Sequence, residues 1–285
     1  PLDLIDKYGA DALRFTLTAM AAQGRDIRLA ESRIEGYRNF ATKIWNAARF
    51  ALMHLDCGYD RIDEDKLSLP DRWILSRLTR TMEQVSGALE DYKFNEAASG
   101  AYQFVWHEFC DWYLEAAKPA LYDESKGPGT TAAKQVLWTV LRDILVLLHP
   151  FAPFVTEEIW DKLPGTQGSI MQAAWPRTQE YVSKPERLDA AEAEMGFAME
   201  IITGIRNIRG EMNIPPSQQL KCLIHCESRT KKQIIEAHAD LIIDLARLET
   251  RGVQPGMVPL DAVAMAREAV DLLRPLARRK GLRLE

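Results

Sequence analysis

The chain has 285 residues, 47% of them hydrophobic and 27% charged, with a formal net charge of −5. That length can bury a core without covalent staples and leaves room for a second unit, while the acidic balance excludes a protein that coats nucleic acid indiscriminately through many phosphate contacts. No run of about 18 apolar residues is present to cross a bilayer, no basic and apolar leader opens the chain, and the start at Pro1-Leu2-Asp3 without Met leads us to expect a fragment of a longer protein.

Helical periodicity dominates to about residue 210. A first helical stretch ends near Ala22, and a loop over 23–29 leads to "NFATKIWNAARFALMHL", residues 39–55. Wound at ~100° per residue, this segment gathers Phe40, Ile44, Ala47, Ala48, Ala51, Leu52 and Leu55 on one side, the apolar stripe of a packed helix. Its other side reads Asn39, Thr42, Lys43, Asn46, Arg49, Phe50 and Met53, so Phe50 stands in a polar and basic face. Between residues 25 and 49 the cations Arg25, Arg28, Arg33, Arg38, Lys43 and Arg49 outnumber Asp26, Glu31 and Glu35, against the acidic trend of the whole chain. The acid is concentrated elsewhere, as in the loop 56–66. Leu69-Pro70-Asp71 then opens a helix running to about Tyr92, with Pro in its first turn.

A long helix over 95–117 carries Tyr102, Val105, Trp106, Phe109, Trp112 and Tyr113, read as bundle core because the aromatics extend round much of it, and is expected to stop at Lys118-Pro119. Gly127-Pro128-Gly129 marks a loop, 131–148 a strongly apolar helix, His149-Pro150 a break and 155–162 a short helix. Residues 163–185 read as loop or extended chain and 188–209 as helix. After a breaker at 210–216, "QLKCLIHC" alternates Leu220, Cys222, Ile224 and Cys226 with Lys221, Leu223 and His225, a strand pattern; 231–248 returns to helix and 253–260 reads as a second strand. The expected fold is therefore mainly α, an antiparallel helix bundle followed by a small α/β unit.

Catalytic signatures are missing: the sequence holds no Gly-rich phosphate loop, no GxSxG and no HExxH. Cys222, His225 and Cys226 lack the second pair of ligands a zinc site needs, and strand alternation would put His225 opposite both cysteines, so no metal site is expected and these cysteines read as buried strand residues. Cys57, Cys110, Cys222 and Cys226 form no evenly spaced framework and read as reduced thiols of a cytosolic protein. Lys43, Asn46, Arg49 and Phe50 supply cation, amide and aromatic face on one surface, the combination that recognises single-stranded nucleic acid. The competing reading packs Phe50 on a neighbouring helix, or makes it a hot spot on a scaffold that binds protein partners.

"LIDKYGADALRFTLTAMAAQGRDIRL", "RNFATKIWNAARFALMHL", "FNEAASGAYQFVWHEFCDWYLEAAKP", "LHPFAPFVTEEIW" and "IRNIRGEMNIPP" resemble, in this order, the part of the bacterial-type valyl-tRNA synthetase family that follows its catalytic domain. The resemblance covers about residues 1–249; the related isoleucyl and leucyl families share the bundle but resemble "GRDIRL" and "NFATKIWNAARF" less well. It implies a class I synthetase anticodon-binding bundle over 30–210, a connector at 1–29 beside the catalytic core, and a small α/β unit over 211–285 whose tail, from about 250, is atypical of the family's coiled-coil arm. It implies tRNA(Val) as partner, with Lys43, Asn46, Arg49 and Phe50 presented to the anticodon. Arg14, Arg25, Arg28 and Arg38 are then candidates to touch the tRNA backbone, or else to cap and bridge helices. ATP and Mg, valine activation and editing would belong to the parent enzyme, with no cofactor in this fragment. The remaining expectations are a cytoplasmic monomer that binds neither membrane nor DNA.

Overall fold

The computed structural model describes residues 1–21, 29–59, 61–177, 186–215, 218, 222, 224–226 and 228–247. Its elements are α1 (Leu2–Tyr8), α2 (Ala10–Met20), α3 (Glu31–Leu52), α4 (Leu69–Glu90), α5 (Phe94–Gln103), a π-helical stretch (Phe104–Tyr113), α6 (Leu114–Leu121), α7 (Pro128–Leu148), α8 (Pro153–Trp160), α9 (Glu186–Glu211), α10 (Arg229–Ala237) and α11 (Ala239–Arg247). The chain divides into two compact units, Pro1–Met195 and Gly196–Glu285.

The first unit is the helix bundle. Gly9, at φ 90° and ψ 151°, separates α1 from α2 where one helical stretch was expected; that backbone conformation strains any residue with a Cβ. Two residues on, Asp11 reaches out of α2 to another helix. Its carboxylate accepts the backbone N–H groups of Phe154 (3.1 Å) and Val155 (2.7 Å) in the first turn of α8, supplying from a distant segment the acceptor that orphan helix N–H groups require. In α3 the buried residues are Ile34, Phe40, Ile44, Ala47, Ala48 and Ala51, the stripe expected from the periodicity. Helix α4 starts with Pro70 in its first turn and a reciprocal cap between Ser68 and Asp71. Helix α7 buries residues all round its surface, Val136, Trp138, Leu141 and Ile144 among them, and forms the centre of the bundle.

The segment 94–121 departs most from expectation. It stays helical through Pro119, which lies inside α6, because Ala117 (4% exposed) and Leu121 (6%) are held in the core on either side of it. Its middle is π-helical. Residues five apart diverge by about 140° on an α-helix, but an i→i+5 hydrogen-bond register brings them onto one side. Trp106 and Asp111 accordingly both meet Lys43 of α3, whereas Glu108 and Tyr113 both turn to α4. Arg77 donates to the two Glu108 oxygens at 2.8 and 2.9 Å, and the Tyr113 hydroxyl donates to Asp71 at 3.0 Å. Burial pushes the Asp71 carboxyl up, opposed by its bonds from Ser68 and Tyr113.

In the second unit Ile202, Ile242, Leu245 and Ala246 are buried. Arg206 of α9 donates to the Leu245 carbonyl at 2.8 Å, and Arg209 donates to that of Pro215 at 3.0 Å, in the turn that follows the helix. There is no strand among the described residues. The alternating run expected to be a strand has Cys222 and Ile224–Cys226 in irregular backbone with Cys222 exposed and Cys226 half-buried, which corrects the reading of both cysteines as buried. Alternation makes a strand only where a partner strand satisfies its ladder, and no such partner lies among the described residues. Leu220, Lys221, Leu223 and the expected strand at 253–260 lie outside them.

Replacing Tyr113 by Phe leaves Asp71 with one acceptor position unfilled in the core, and is expected to lower the unfolding free energy by about 1–3 kcal/mol in urea titration. A variant as stable as the unmutated chain would show that the Tyr113 bond does not matter to the fold.

Candidate nucleic-acid interface

On α3, Lys43, Asn46 and Phe50 follow one another at three- and four-residue spacing and share one face. Arg49 lies beside them, and the opposite face carries the buried stripe. The four residues differ in how far they are already engaged. Asn46 and Arg49 are exposed, and neither side chain has a hydrogen bond or ion pair among the described residues. Lys43 is held: its Nζ lies 2.5 Å from Asp111 Oδ1 and 4.0 Å from the centre of the Trp106 ring. A phosphate at Lys43 would have to compete with that carboxylate, although an ion pair this exposed is worth only about 0–1 kcal/mol.

Phe50 is neither a core residue nor an isolated ring in solvent. It is half-buried at the seam between α3 and the end of α6, its ring edge-on to His54 at 4.9 Å and 6.4 Å from Tyr122, with the Lys118 ammonium 5.8 Å from its centre. Tyr122 is 59% exposed and Met53, on the next turn of the α3 face, 76% exposed. The outward surface at this end of the helix therefore consists of aromatic and thioether groups bordered by an amide and a guanidinium. Such a surface offers stacking faces with polar groups at their edge. His54, Tyr122 and Lys118 were not assigned to this surface from the sequence. His54 stands four residues after Phe50 and was within reach of that spacing; Tyr122 and Lys118 arrive from a distant segment and carried no local signal.

The candidate backbone contacts separate. Arg14 is exposed and donates to the Pro150 carbonyl at 3.2 Å, and Arg38 pairs with Glu35 at 3.3 Å beside the Tyr8 ring. Arg14 thus ties α2 to the turn after α7 and Arg38 pairs within its own helix, while both keep exposed guanidinium surface. Arg25 and Arg28 lie outside the described residues. Among the described residues no group of three or more His, Cys, Asp or Glu side chains stands together to hold a metal ion. Burial pushes the Cys110 thiol up to about 12, leaving it un-ionised at neutral pH.

His54 is the unusual titrating group here. Burial first, and then the positive charge of Lys134, hold its pKa below the usual 6.5, and its Nε2 is buried without a hydrogen-bond partner among the described residues. The unfolded chain therefore gains a proton before the folded one as pH falls through 6.5, and stability declines until the lower folded pKa is passed.

The chain is similar to known proteins in one family model and in several relatives. Residues 71–224 match the family model described as the anticodon-binding domain of tRNA ligase. The chain is 48% identical to the valine–tRNA ligase of Geobacter sulfurreducens, over 99% of this chain and 32% of that protein. It is 46% identical to that of Syntrophotalea carbinolica, over 97% and 31%, and 43% identical to that of Thermotoga maritima, over 95% and 30%. The chain thus spans about a third of the length of the curated relatives it matches, and the first of these similarities includes most of the segment after residue 250.

Replacing His54 by Leu removes the orphaned nitrogen and the titration together. The stability difference between variant and unmutated chain, followed by thermal unfolding from pH 7 to pH 5, is expected to move in favour of the variant as pH drops below 6.5. A difference that stays constant with pH would show that His54 titrates normally.

Proposed function

The chain belongs to the family of anticodon-binding domains of tRNA ligases, and from that premise we propose that it is the tRNA-reading part of a valine–tRNA ligase, which binds the anticodon of tRNA(Val) through the exposed face of α3. The observation that carries the proposal is the Phe50 surface: a half-buried ring fixed by His54 and flanked by an exposed Asn46 and Arg49. A base stacks on Phe50, the Asn46 amide reads a base edge, and Arg49 holds phosphate. Lys43 contributes charge after exchanging Asp111 for phosphate. Valine rather than isoleucine or leucine as the parent's amino acid is supported by the relatives of 41–48% identity, all valine–tRNA ligases.

The proposal extends to the whole protein. The parent attaches valine to tRNA(Val) using ATP and Mg, as a cytoplasmic monomer, with residues 1–29 connecting its catalytic core to this bundle. No helix among the described residues is long and apolar enough to cross a membrane. Because the ATP chemistry is assigned to the parent's other domains, the purified chain is expected to show no valine-dependent exchange of pyrophosphate into ATP.

The test is binding of a tRNA(Val) anticodon stem-loop at low salt, with a stem-loop of unrelated anticodon as control. Phe50→Ala is expected to weaken binding by about 1–3 kcal/mol, the worth of one base on an aromatic platform. Its stability cost should fall below the 3–5 kcal/mol of a core Phe truncation. Asn46→Ala should reduce discrimination between the two RNAs, whereas Arg49→Ala should weaken both alike and lower the salt slope by ~1. Equal binding of both RNAs by the unmutated chain would overturn the anticodon reading.

A further inference from the structure

The face of α3 that carries Lys43, Asn46 and Phe50 continues toward the start of the helix through Gly36 and Ser32, at the same three- and four-residue spacing. There it forms one wall of a groove of about 300 Å³, with α5 as the other wall. The groove is polar in its outfitting and aromatic in its lining. Ser32 and Arg33 from α3 and Ser99 and Gln103 from α5 stand at its rim, and Tyr37 and Tyr102 pack against each other edge to face at 5.8 Å. None of these six side chains has a hydrogen-bond or ion-pair partner among the described residues. On α3 the acids beside Arg33 are engaged, Glu31 by Lys7 and Tyr8 and Glu35 by Arg38, while on α5 the exposed Glu96, one turn before Ser99, acts on Lys93 through space alone. Arg33 has no ion-pair partner among the described residues, and it stands close enough to Tyr37 to oppose the upward push of burial on its phenol.

Gly36 points to what the groove is for. It sits in the middle of a 22-residue helix, where glycine is a poor choice, yet a Cβ built on it would meet nothing within 4 Å. No packing among the described residues requires the missing side chain. A glycine in such a place leaves the helix backbone open to close approach by a ligand. Tyr102 stacks on Trp106 at 5.6 Å, and Trp106 carries Lys43 over its ring, so aromatic surface runs from the groove as far as Lys43, which shares a face of α3 with Phe50. Gly36 and Phe50 are 14 residues apart, about 21 Å along the helix, the reach of several nucleotides.

We propose that this groove seats the ribose–phosphate backbone of the RNA stem that adjoins the loop met by Phe50, with Gly36 as its floor and Arg33 as its phosphate contact; the proposal rests on the anticodon reading above. The hydroxyl and amide groups at the rim match a ribose 2′-OH, which donates and accepts, and in a paired stem the Watson–Crick edges are already engaged. Its contribution is affinity and register, whereas the Phe50 end supplies discrimination.

The experiment compares Gly36→Gln, Arg33→Gln and Phe50→Ala in the full chain, using the matched stem-loop, an unrelated one, and the matched one with deoxyribose in its stem. Gly36→Gln fills the groove with a good helix former, so its melting temperature should equal or exceed that of the unmutated chain. It should bind both RNA stem-loops at least tenfold more weakly with their ratio unchanged, and lose the preference for ribose over deoxyribose in the stem. Arg33→Gln should weaken both RNAs alike and reduce the salt slope by ~1. Unchanged binding by folded Gly36→Gln overturns the groove while leaving the anticodon reading to stand on Phe50→Ala. Equal binding of both RNAs by the unmutated chain, with Gly36→Gln weakened for both, overturns the anticodon reading and keeps the groove. Failure of the unmutated chain to bind either RNA at low salt overturns both.

Discussion

The i→i+5 register of residues 104–113 is the constraint on which the bundle's geometry depends. One stretch of helix must serve two neighbours that lie on different sides of it, and the wider register sorts its side chains accordingly. Glu108 and Tyr113 go to α4, through Arg77 and the buried Asp71. Trp106 and Asp111 go to Lys43 of α3, and Phe104 and Phe109, also five apart and each 1% exposed, go to the core. In an ordinary α-helix each of these pairs would splay by about 140°, and one member of each would lose its partner.

The terms differ in what they contribute. Burial of the apolar stripes of α3, α4 and α7 supplies the bulk of the stabilisation, at roughly 25 cal/mol per Å², but it is non-directional and would accept several rotations of α3. The polar contacts choose among them. The buried bond between Tyr113 and Asp71 is costly to leave half-made, so it fixes the register of the stretch against α4. The exposed Lys43–Asp111 pair adds little energy and acts as a marker of orientation on a helix already placed by packing. The consequence for function is that α3 is held along its buried side and through Lys43, which leaves Asn46, Arg49, part of Phe50 and Met53 facing outward at its far end.

Much of this was legible in the sequence. The periodicity of 39–55 separates the stripe that is buried from the face that is not, and Leu69-Pro70-Asp71 announces the start of α4. The aromatic segment was read as core, and Val105, Phe109 and Tyr113 are buried, but its sorting between two neighbours was not legible. At 100° per residue Trp106, Phe109, Trp112 and Tyr113 spread round the helix and look like undifferentiated core, because the sorting appears only in the i→i+5 register, which no single-residue pattern reveals. Long-range partners were equally invisible: nothing near Asp11 signals that it caps α8, and nothing near Phe50 signals Tyr122. The alternation at 220–226 was a real pattern with no strand partner among the described residues, and pattern alone does not make a sheet. The glycine at position 36 was passed over because a helix tolerates it; only the empty space above it gives it meaning.

The central claim is that the outward face of α3 and the end of α6 meet RNA while the buried stripe and the π-helical stretch hold still. Backbone amide chemical shifts, followed as a tRNA(Val) anticodon stem-loop is titrated into the isotope-labelled chain at low salt, test it directly. The account predicts perturbations over residues 43–53 and 118–122, graded toward the start of α3, with the amides of 108–113 unmoved. Perturbations centred elsewhere on the bundle, or none along α3 while the RNA binds, would contradict it.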